Sequence, residues 1–243
     1  MKRRVLAIIQ ARMGSSRLPG KVLKPLCGKP ILYHILQRVE RVNELSEIVV
    51  ATTGNQIDNP IAELAQSQGV FCFRGSQEDV LDRFFQSAQT LDAKSDDVII
   101  RLTGDNPFID PQICGELLSF FLESSFGYVT TSGYPLGVGT EIFTFSALEE
   151  THTQAAKAYE REHVTPFMYR QGQVFGTMKS PMDYSNVRLT VDSSEDYQVA
   201  QQIYASLYPV KKEFGLAEIL DYLEANPAVA AINQGVHQKQ LGE

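Results

Sequence analysis

Long apolar runs are missing from this 243-residue chain: none approaches the roughly 18–20 residues that a membrane span needs. Cysteine is scarce. The three present, Cys27, Cys72 and Cys114, are odd in number and widely spaced, with no CxxC or His-paired pattern. Their spacing excludes a disulfide-stapled miniprotein and a thiolate metal site, reads the thiols as packing residues, and leads us to expect a reducing cytoplasm. A basic excess is also missing, since 22 Lys and Arg against 29 Asp and Glu give a net charge of −7, with a pI near 5.2. That balance argues against a general nucleic-acid binder. No linker, internal repeat or low-complexity stretch interrupts the chain, so one continuous domain is expected rather than two. The amino end, Met1-Lys2-Arg3-Arg4, has the charge of a signal-peptide n-region. The apolar stretch behind it runs only from Val5 to Ile9, too short for an h-region, so neither secretion nor membrane attachment is expected. What remains is ordinary for a soluble α/β domain: 43% hydrophobic and 21% charged residues, enough to fill a real core.

Charge is unevenly spread. Residues 1–41 carry ten Lys or Arg and one acid, Glu40, which leaves the rest of the chain strongly acidic. Lys2, Arg3, Arg38 and Arg41 fit a solvated basic face. The bases between Arg12 and Lys29 fit a compact bound polyanion instead.

Hydrophobic periodicity divides the first half into β–α units. Continuous apolar or β-branched runs predict strands at 5–9, 47–52, 70–73 and 98–102. Helical spacing predicts helices at 31–42, 57–68, 80–91 and 111–123, the first opened by Pro30. Four such units in a row imply a three-layer, doubly wound, mostly parallel α/β sheet. Beyond about residue 126 the rhythm loosens, with short strands expected at 128–131, 141–145, 174–178 and 187–191 and helices near 195–207 and 215–225. The chain is therefore divided into a first half at about 1–125 and a second half at about 126–243, with a small covering lobe at about 127–180.

In an open parallel sheet, ligands bind beyond the carboxyl ends of the strands. The loop leaving the first strand, Gln10-Ala-Arg-Met-Gly-Ser-Ser-Arg-Leu-Pro-Gly-Lys21, combines Gly14 and Gly20, two serines, and the cations Arg12, Arg17 and Lys21. Backbone amides and charge-assisted bonds to phosphate oxygens are what a triphosphate cradle requires. It is not a Walker A loop, because five residues separate the glycines and Val22 follows Lys21. It is not GxGxxG either, which disfavours a nicotinamide enzyme.

The run from Ile9 to Leu23 resembles the nucleotide-binding loop of the sugar cytidylyltransferases, enzymes that activate sialic acids and 3-deoxy-octulosonate as CMP-sugars. It is most similar to the subgroup named for spore coat polysaccharide biosynthesis protein F. The likeness continues in order through Gly28-Lys29-Pro30, Glu78-Asp-Val-Leu-Asp-Arg83, Arg101-Leu-Thr-Gly-Asp-Asn-Pro107, Glu160-Arg-Glu-His-Val-Thr-Pro166 and Arg188-Leu-Thr-Val-Asp192. It implies a Rossmann-like nucleotide-diphospho-sugar transferase fold, CTP and a sugar as substrates, and Mg²⁺ as cofactor. It further implies nucleotide contacts from Gln10, Ala11, Arg12, Gly14, Ser15, Arg17, Lys21, Arg74, Ser76 and Asp105. Arg12, Lys21, Asp105 and Asp192 are the expected catalytic residues. Gln10 stands where the sialic-acid and octulosonate enzymes usually carry proline, and their sugar contacts have no match here after about residue 127. Homodimers are common among such relatives, although no run of residues marks an interface.

Asp105 follows the fourth strand and Asp192 the strand-like 187–191 segment, so both are expected at the sheet's carboxyl edge. Two carboxylates there could hold Mg²⁺ against phosphate oxygens, and the resemblance implies that they do. Each also has a plain structural reading. Asp105-Asn-Pro suits an Asx-turn, and Asp192-Ser-Ser-Glu195 matches a capping box with Asp192 as N-cap. Asp196 reads as a first-turn acid that favours the helix dipole, and Asp82 and Arg83 lie where the resemblance implies nucleotide-base contacts but equally suit a structural helix-face ion pair. Glu141, in a glycine-rich segment, is the expected sugar contact. His163 joins it through the resemblance and lacks any ligand-spaced partner for zinc. These readings predict Mg²⁺-dependent cytidylyl transfer from CTP to a sugar, an acid destined for surface polysaccharide. Transfer from another nucleoside triphosphate, or nucleotide binding without turnover as a partner in glycan assembly, remains open at this point.

Overall fold

The computed structural model describes residues 3–170 and 174–238; Lys2, read above as part of a basic face, lies outside them. Val5–Gln10 (β1) is buried on both faces because its alternate residues serve two different cores. Val5, Ala7 and Ile9 enter one, Leu6 and Ile8 the other. This two-sided burial is why the run reads as continuously apolar.

Pro25–Leu26 (β2) and Lys29–Pro30 (β3) form a small antiparallel hairpin. Its turn residues Cys27 and Gly28 have φ of 46° and 77°, as a two-residue hairpin turn requires. Cys27 is exposed there, so of the three thiols only Cys114 is fully buried; the packing reading fails for Cys27. Ile31–Val39 (α1) follows, then Glu47–Thr53 (β4), Asn59–Ser67 (α2), Phe71–Gly75 (β5), Val80–Thr90 (α3), Val98–Thr103 (β6) and Pro111–Glu123 (α4). The second half adds Tyr128–Ser132 (β7), Glu141–Thr144 (β8), Phe145–Gln154 (α5), Ala158–His163 (α6), Pro166–Arg170 (α7), Gly176–Lys179 (β9), Ser194–Leu207 (α8), Leu216–Ala225 (α9) and Pro227–Ala230 (α10).

Seven strands make one sheet in the order β5-β4-β1-β6-β8-β7-β9. The first four are mutually parallel; β8 runs antiparallel to β6 and β7, and β9 parallel to β7. One face is covered by α1, α2, α4, α8, α9 and α10 and the other by α3, α5, α6 and α7, which gives the three layers. The segment 127–180 supplies β7, β8 and β9 to this sheet and is continuous with the strands of the first half.

Three further expectations change. The 187–191 segment is not a sheet strand and makes only an isolated bridge from Arg188 to Leu136. The reason is that β8 already pairs β6 from Val98 to Arg101, so this segment can reach β6 only beyond its end. There the Val191 amide donates to the Asp105 carbonyl at 2.8 Å. The run at 141–145 ends as a strand at Thr144, whose hydroxyl accepts the Ala147 amide and starts α5. Arg38, read as part of a solvated face, is buried at 3% exposure, with its guanidinium 4.4 Å from the Phe214 ring centroid.

Candidate active site

The carboxyl ends of β5, β4, β1 and β6 line up at one edge, and the loop from Gln10 to Lys21 leaves β1 in their midst. Its entry is tight: the Gly104 amide donates to the Gln10 carbonyl at 2.7 Å. A Cβ on Gly104 would lie 2.9 Å from Ala11 Cβ, so only glycine lets β6 exit this close to the loop. Met13 closes the loop. Its carbonyl accepts the Ser15 and Gly20 amides, both at 2.9 Å, and its own amide donates to Asp58 Oδ1 at 2.7 Å. Gly20 turns the chain at φ +67° into a short 3₁₀ turn, Lys21–Leu23. Gly14 has open space where a Cβ would stand, so close backbone approach is not what selects glycine there in the free protein.

Lys21 points back across the edge. Its Nζ lies 2.6 Å from Asp105 Oδ2 and 2.7 Å from Asp192 Oδ1, bridging carboxylates 84 and 171 residues away. Burial lowers the lysine pKa, but Asp105 and Asp192 outweigh it and the net shift is upward. Asp105 also accepts from the Thr103 hydroxyl. Asp192 is gripped by two further cations, Arg17 at 3.2 Å and Arg188 at 2.9 Å. Burial raises its carboxyl, while Lys21, Arg17 and Arg188 together hold it below the usual carboxylate range.

The capping box forms one residue later than the sequence suggests. Ser193, not Asp192, caps α8, and Asp196, not Glu195, completes the box. Asp192 is thereby left to face Lys21. Asp196 does more than favour a helix dipole. It is 2% exposed and receives Arg188 Nε at 2.7 Å and Asn233 Nδ2 at 2.9 Å. Arg188 and Asn233 were not singled out from sequence as site residues. Arg188 opens a motif that includes Asp192, which was a usable signal; Asn233 had none.

The remaining expectations separate. Arg12 is exposed, close enough to buried Arg83 to repel its charge. Arg17 also donates to the His237 carbonyl at 3.2 Å, which draws the C-terminal segment to this edge. Arg74 spends its donors on Thr53 O, Asn59 Oδ1 and Asn55 O, tying the ends of β4 and β5 together. The Ser76 hydroxyl accepts the Asp79 amide. Both side chains are committed to the protein itself here. Asp82 pairs with His152 at 3.0 Å, not with Arg83, whose Nη1 donates to Ser76 O at 2.6 Å.

Glu141 and His163 come together away from the loop. Glu141, opposite Arg101 in the β6–β8 register, pairs with that guanidinium and accepts from the Tyr128 and Thr165 hydroxyls. Burial lowers the His163 pKa, Glu162 and Glu141 oppose the shift, and Arg101 adds to it. Arg101 and Glu141 line a cavity of about 330 Å³ with Thr103, Asn106, Thr131 and Tyr134, so it begins beside the residues that lead to Asp105.

Among the described residues, no group of three or more His, Cys, Asp or Glu side chains is arranged to hold a metal. Asp105 and Asp192 are a pair of hard oxygen donors already sharing one cation. That suits Mg²⁺, which takes one or two carboxylates and completes its shell with phosphate oxygens and water. No described helix is long and apolar enough to cross a membrane.

The description "cytidylyltransferase" belongs to the family whose profile matches residues 6–234. The chain is 33% identical over 235 residues to spore coat polysaccharide biosynthesis protein SpsF of Bacillus subtilis, covering 93% of this chain and 96% of the relative. It is 38% identical over 244 residues to the uncharacterized protein MJ1063 of Methanocaldococcus jannaschii, covering 99% and 98%. A solved cytidylyltransferase from Leptospira borgpetersenii superposes with a TM-score of 0.88 at 32% identity, covering 98% of this chain and 100% of that one. A CMP:2-keto-3-deoxy-manno-octonic acid synthetase complexed with CTP shares the fold, at a TM-score of 0.66 and 20% identity, covering 83% and 98%. With the profile matched along almost the whole chain and these relatives aligned end to end, the protein belongs to the cytidylyltransferase family of nucleotidyltransferases.

Proposed function

We propose that this protein transfers the cytidylyl group of CTP to a hydroxyl of a sugar acid, forming a CMP-sugar for surface polysaccharide and releasing pyrophosphate. The observation that carries the reading is Lys21 bridging Asp105 and Asp192 at 2.6 and 2.7 Å, directly beside the cationic loop. The relatives' names support the substrate class: one is the spore coat polysaccharide protein and another, matched over 51% of this chain, is a 3-deoxy-manno-octulosonate cytidylyltransferase.

In this reading Arg12, Arg17 and Lys21 neutralise the β and γ phosphates, and the loop that carries them, tied together at the Met13 and Ser15 amides, sets where those charges stand. The sugar hydroxyl attacks the α-phosphorus in line; the bond to the β-phosphate oxygen breaks, and its electron pair leaves with pyrophosphate. Asp105 and Asp192 would hold Mg²⁺, whose charge would polarise the α-phosphate and acidify the attacking hydroxyl. In the nucleotide-free protein Lys21 supplies the positive charge that keeps the two carboxylates together. Glu141 orients the sugar from the cavity that Arg101 also lines, with His163 close enough to feel both charges.

The test is pyrophosphate release from CTP and Mg²⁺ with a panel of 2-keto-3-deoxy sugar acids and neutral sugars. Release with a sugar acid, lost by at least a hundredfold in Asp105→Ala, is the expected result. No release with any acceptor, or an Asp105→Ala protein as active as wild type, would overturn the reading. Binding competition among CTP, UTP, GTP and dTTP checks the base, with CTP expected to win.

A further inference from the structure

Asp58 is a buried carboxylate that neither the chemistry nor the core accounts for. It ends a 3₁₀ turn, Gln56–Asp58, immediately before α2, and is 1% exposed. An aspartate in that place ordinarily turns its side chain onto the first amides of the helix. Asp58 makes no such bond with α2. It turns away instead, with Oδ1 accepting the Met13 amide at 2.7 Å and Oδ2 accepting the Thr53 hydroxyl. The helix has given up a cap, and the loop has gained an anchor.

Met13 is the hub of that loop. Ser15 and Gly20 both donate to its carbonyl, so its peptide plane decides where the chain returns and hence where Lys21 emerges. Arg12 and Gly14 are its direct neighbours in the chain. The carboxylate also bears on the charge beneath the loop. Arg83 is 1% exposed, its Nε has no hydrogen-bond partner among the described residues, and Asp58 and Asp79 partly counter the burial and the Arg12 repulsion that lower its pKa to about 10. Without Asp58, Arg12 would face a buried cation countered by Asp79 alone.

We infer that Asp58 is a positioning residue for the nucleotide: it fixes Met13 so that Arg12, Arg17 and Lys21 present their charges to the triphosphate. The inference rests on the reading of the loop as a triphosphate cradle. Asp58 touches no reacting atom, so its contribution falls on nucleotide affinity and not on the acceptor.

Asp58→Ala, Asp58→Asn and Thr53→Val test it with two independent readouts. The first is hydrogen exchange of the Ser15 and Gly20 amides in the nucleotide-free protein. Losing a buried charge-assisted bond should speed their exchange about tenfold or more in Asp58→Ala. Asp58→Asn, which keeps an oxygen for the Met13 amide, should fall between Asp58→Ala and wild type. Thr53→Val should produce a smaller change of the same sign. Amides inside α4 should be unaffected. The second readout is Mg·CTP binding, where Asp58→Ala should weaken Kd about tenfold and leave the acceptor's KM within twofold. Unchanged exchange at Ser15 and Gly20 in a folded Asp58→Ala protein would overturn the anchoring claim whatever the nucleotide does. Faster exchange with an unchanged Kd for CTP would overturn the positioning claim. A wild-type protein that binds no nucleoside triphosphate sinks the parent reading and the positioning claim with it, while the anchoring claim is still judged by exchange.

Discussion

At the scale of single residues, this edge of the sheet is organised by acids whose partners are cations from distant parts of the chain. Lys21 neutralises Asp105 and Asp192, and Arg188 joins Asp192 to the buried Asp196. Burial alone would raise the Asp196 carboxyl. Hydrogen bonds from Arg188, Asn233 and the Asp192 amide outweigh it, and its pKa lies below the ordinary value. A carboxyl that binds its proton more weakly when folded than unfolded adds stability above the unfolded pKa, about 4, and loses it as pH falls. Asp196→Asn should therefore lower the thermal midpoint at pH 7 while flattening its decline on the acid side. Melting curves from pH 6 down to pH 2 check this, and parallel acid limbs for variant and wild type would contradict it. Asp192 was visible in the sequence as a candidate ligand, but not its freedom from the helix cap. Ser193 and Ser194 are both competent caps, and only the folded register chooses between neighbours.

At the scale of elements, the informative case is the segment 187–191. Its alternation of Val187, Leu189 and Val191 with polar residues has the period of a strand. It adopts extended backbone but finds no free strand edge beside β6 until Asp105. What brings it there is the turn at Gly137, whose φ is +95° and whose Cβ position lies 2.6 Å from the Thr190 amide. Gly137→Ala meets both a forbidden backbone region and a backbone clash. It should cost about 2–3 kcal/mol in urea unfolding and lower activity by displacing Asp192. Gly28→Ala is the control: φ is +77° there, but nothing lies within 4 Å of the added carbon. It should cost only about 1–2 kcal/mol and spare activity. Equal losses of stability and activity in the two variants would show that the contact at Thr190 does not position Asp192. The helix α5 was missed because its start is a single threonine cap in a run that otherwise reads as strand.

For the whole molecule, the two halves are joined by more than the sheet. Asp110 caps α4 through Oδ1 on the Gln112 and Ile113 amides, and its Oδ2 accepts the Leu216 amide 106 residues away at the start of α9. One core runs from β1 to α10, and the other from β1 to α7. Heating should therefore produce one cooperative transition, with calorimetric and van't Hoff enthalpies equal. Asp110→Ala should lower stability by about 2–3 kcal/mol without splitting that transition; two separate transitions in the wild-type protein would refute this coupling. By itself the sequence determined the β–α alternation, the two-faced burial of β1, and the loop of glycines and cations at its end. Those are properties of short windows, where side-chain period, turn chemistry and charge are set by neighbours in the chain. Only the tertiary structure decided that 187–191 would lie against Asp105, that Lys21 would close on two distant carboxylates, and that Asp58 would hold a loop and leave its own helix uncapped. Those outcomes depend on which strand edges and backbone donors are still unpaired once the sheet has formed, and that competition spans the whole chain.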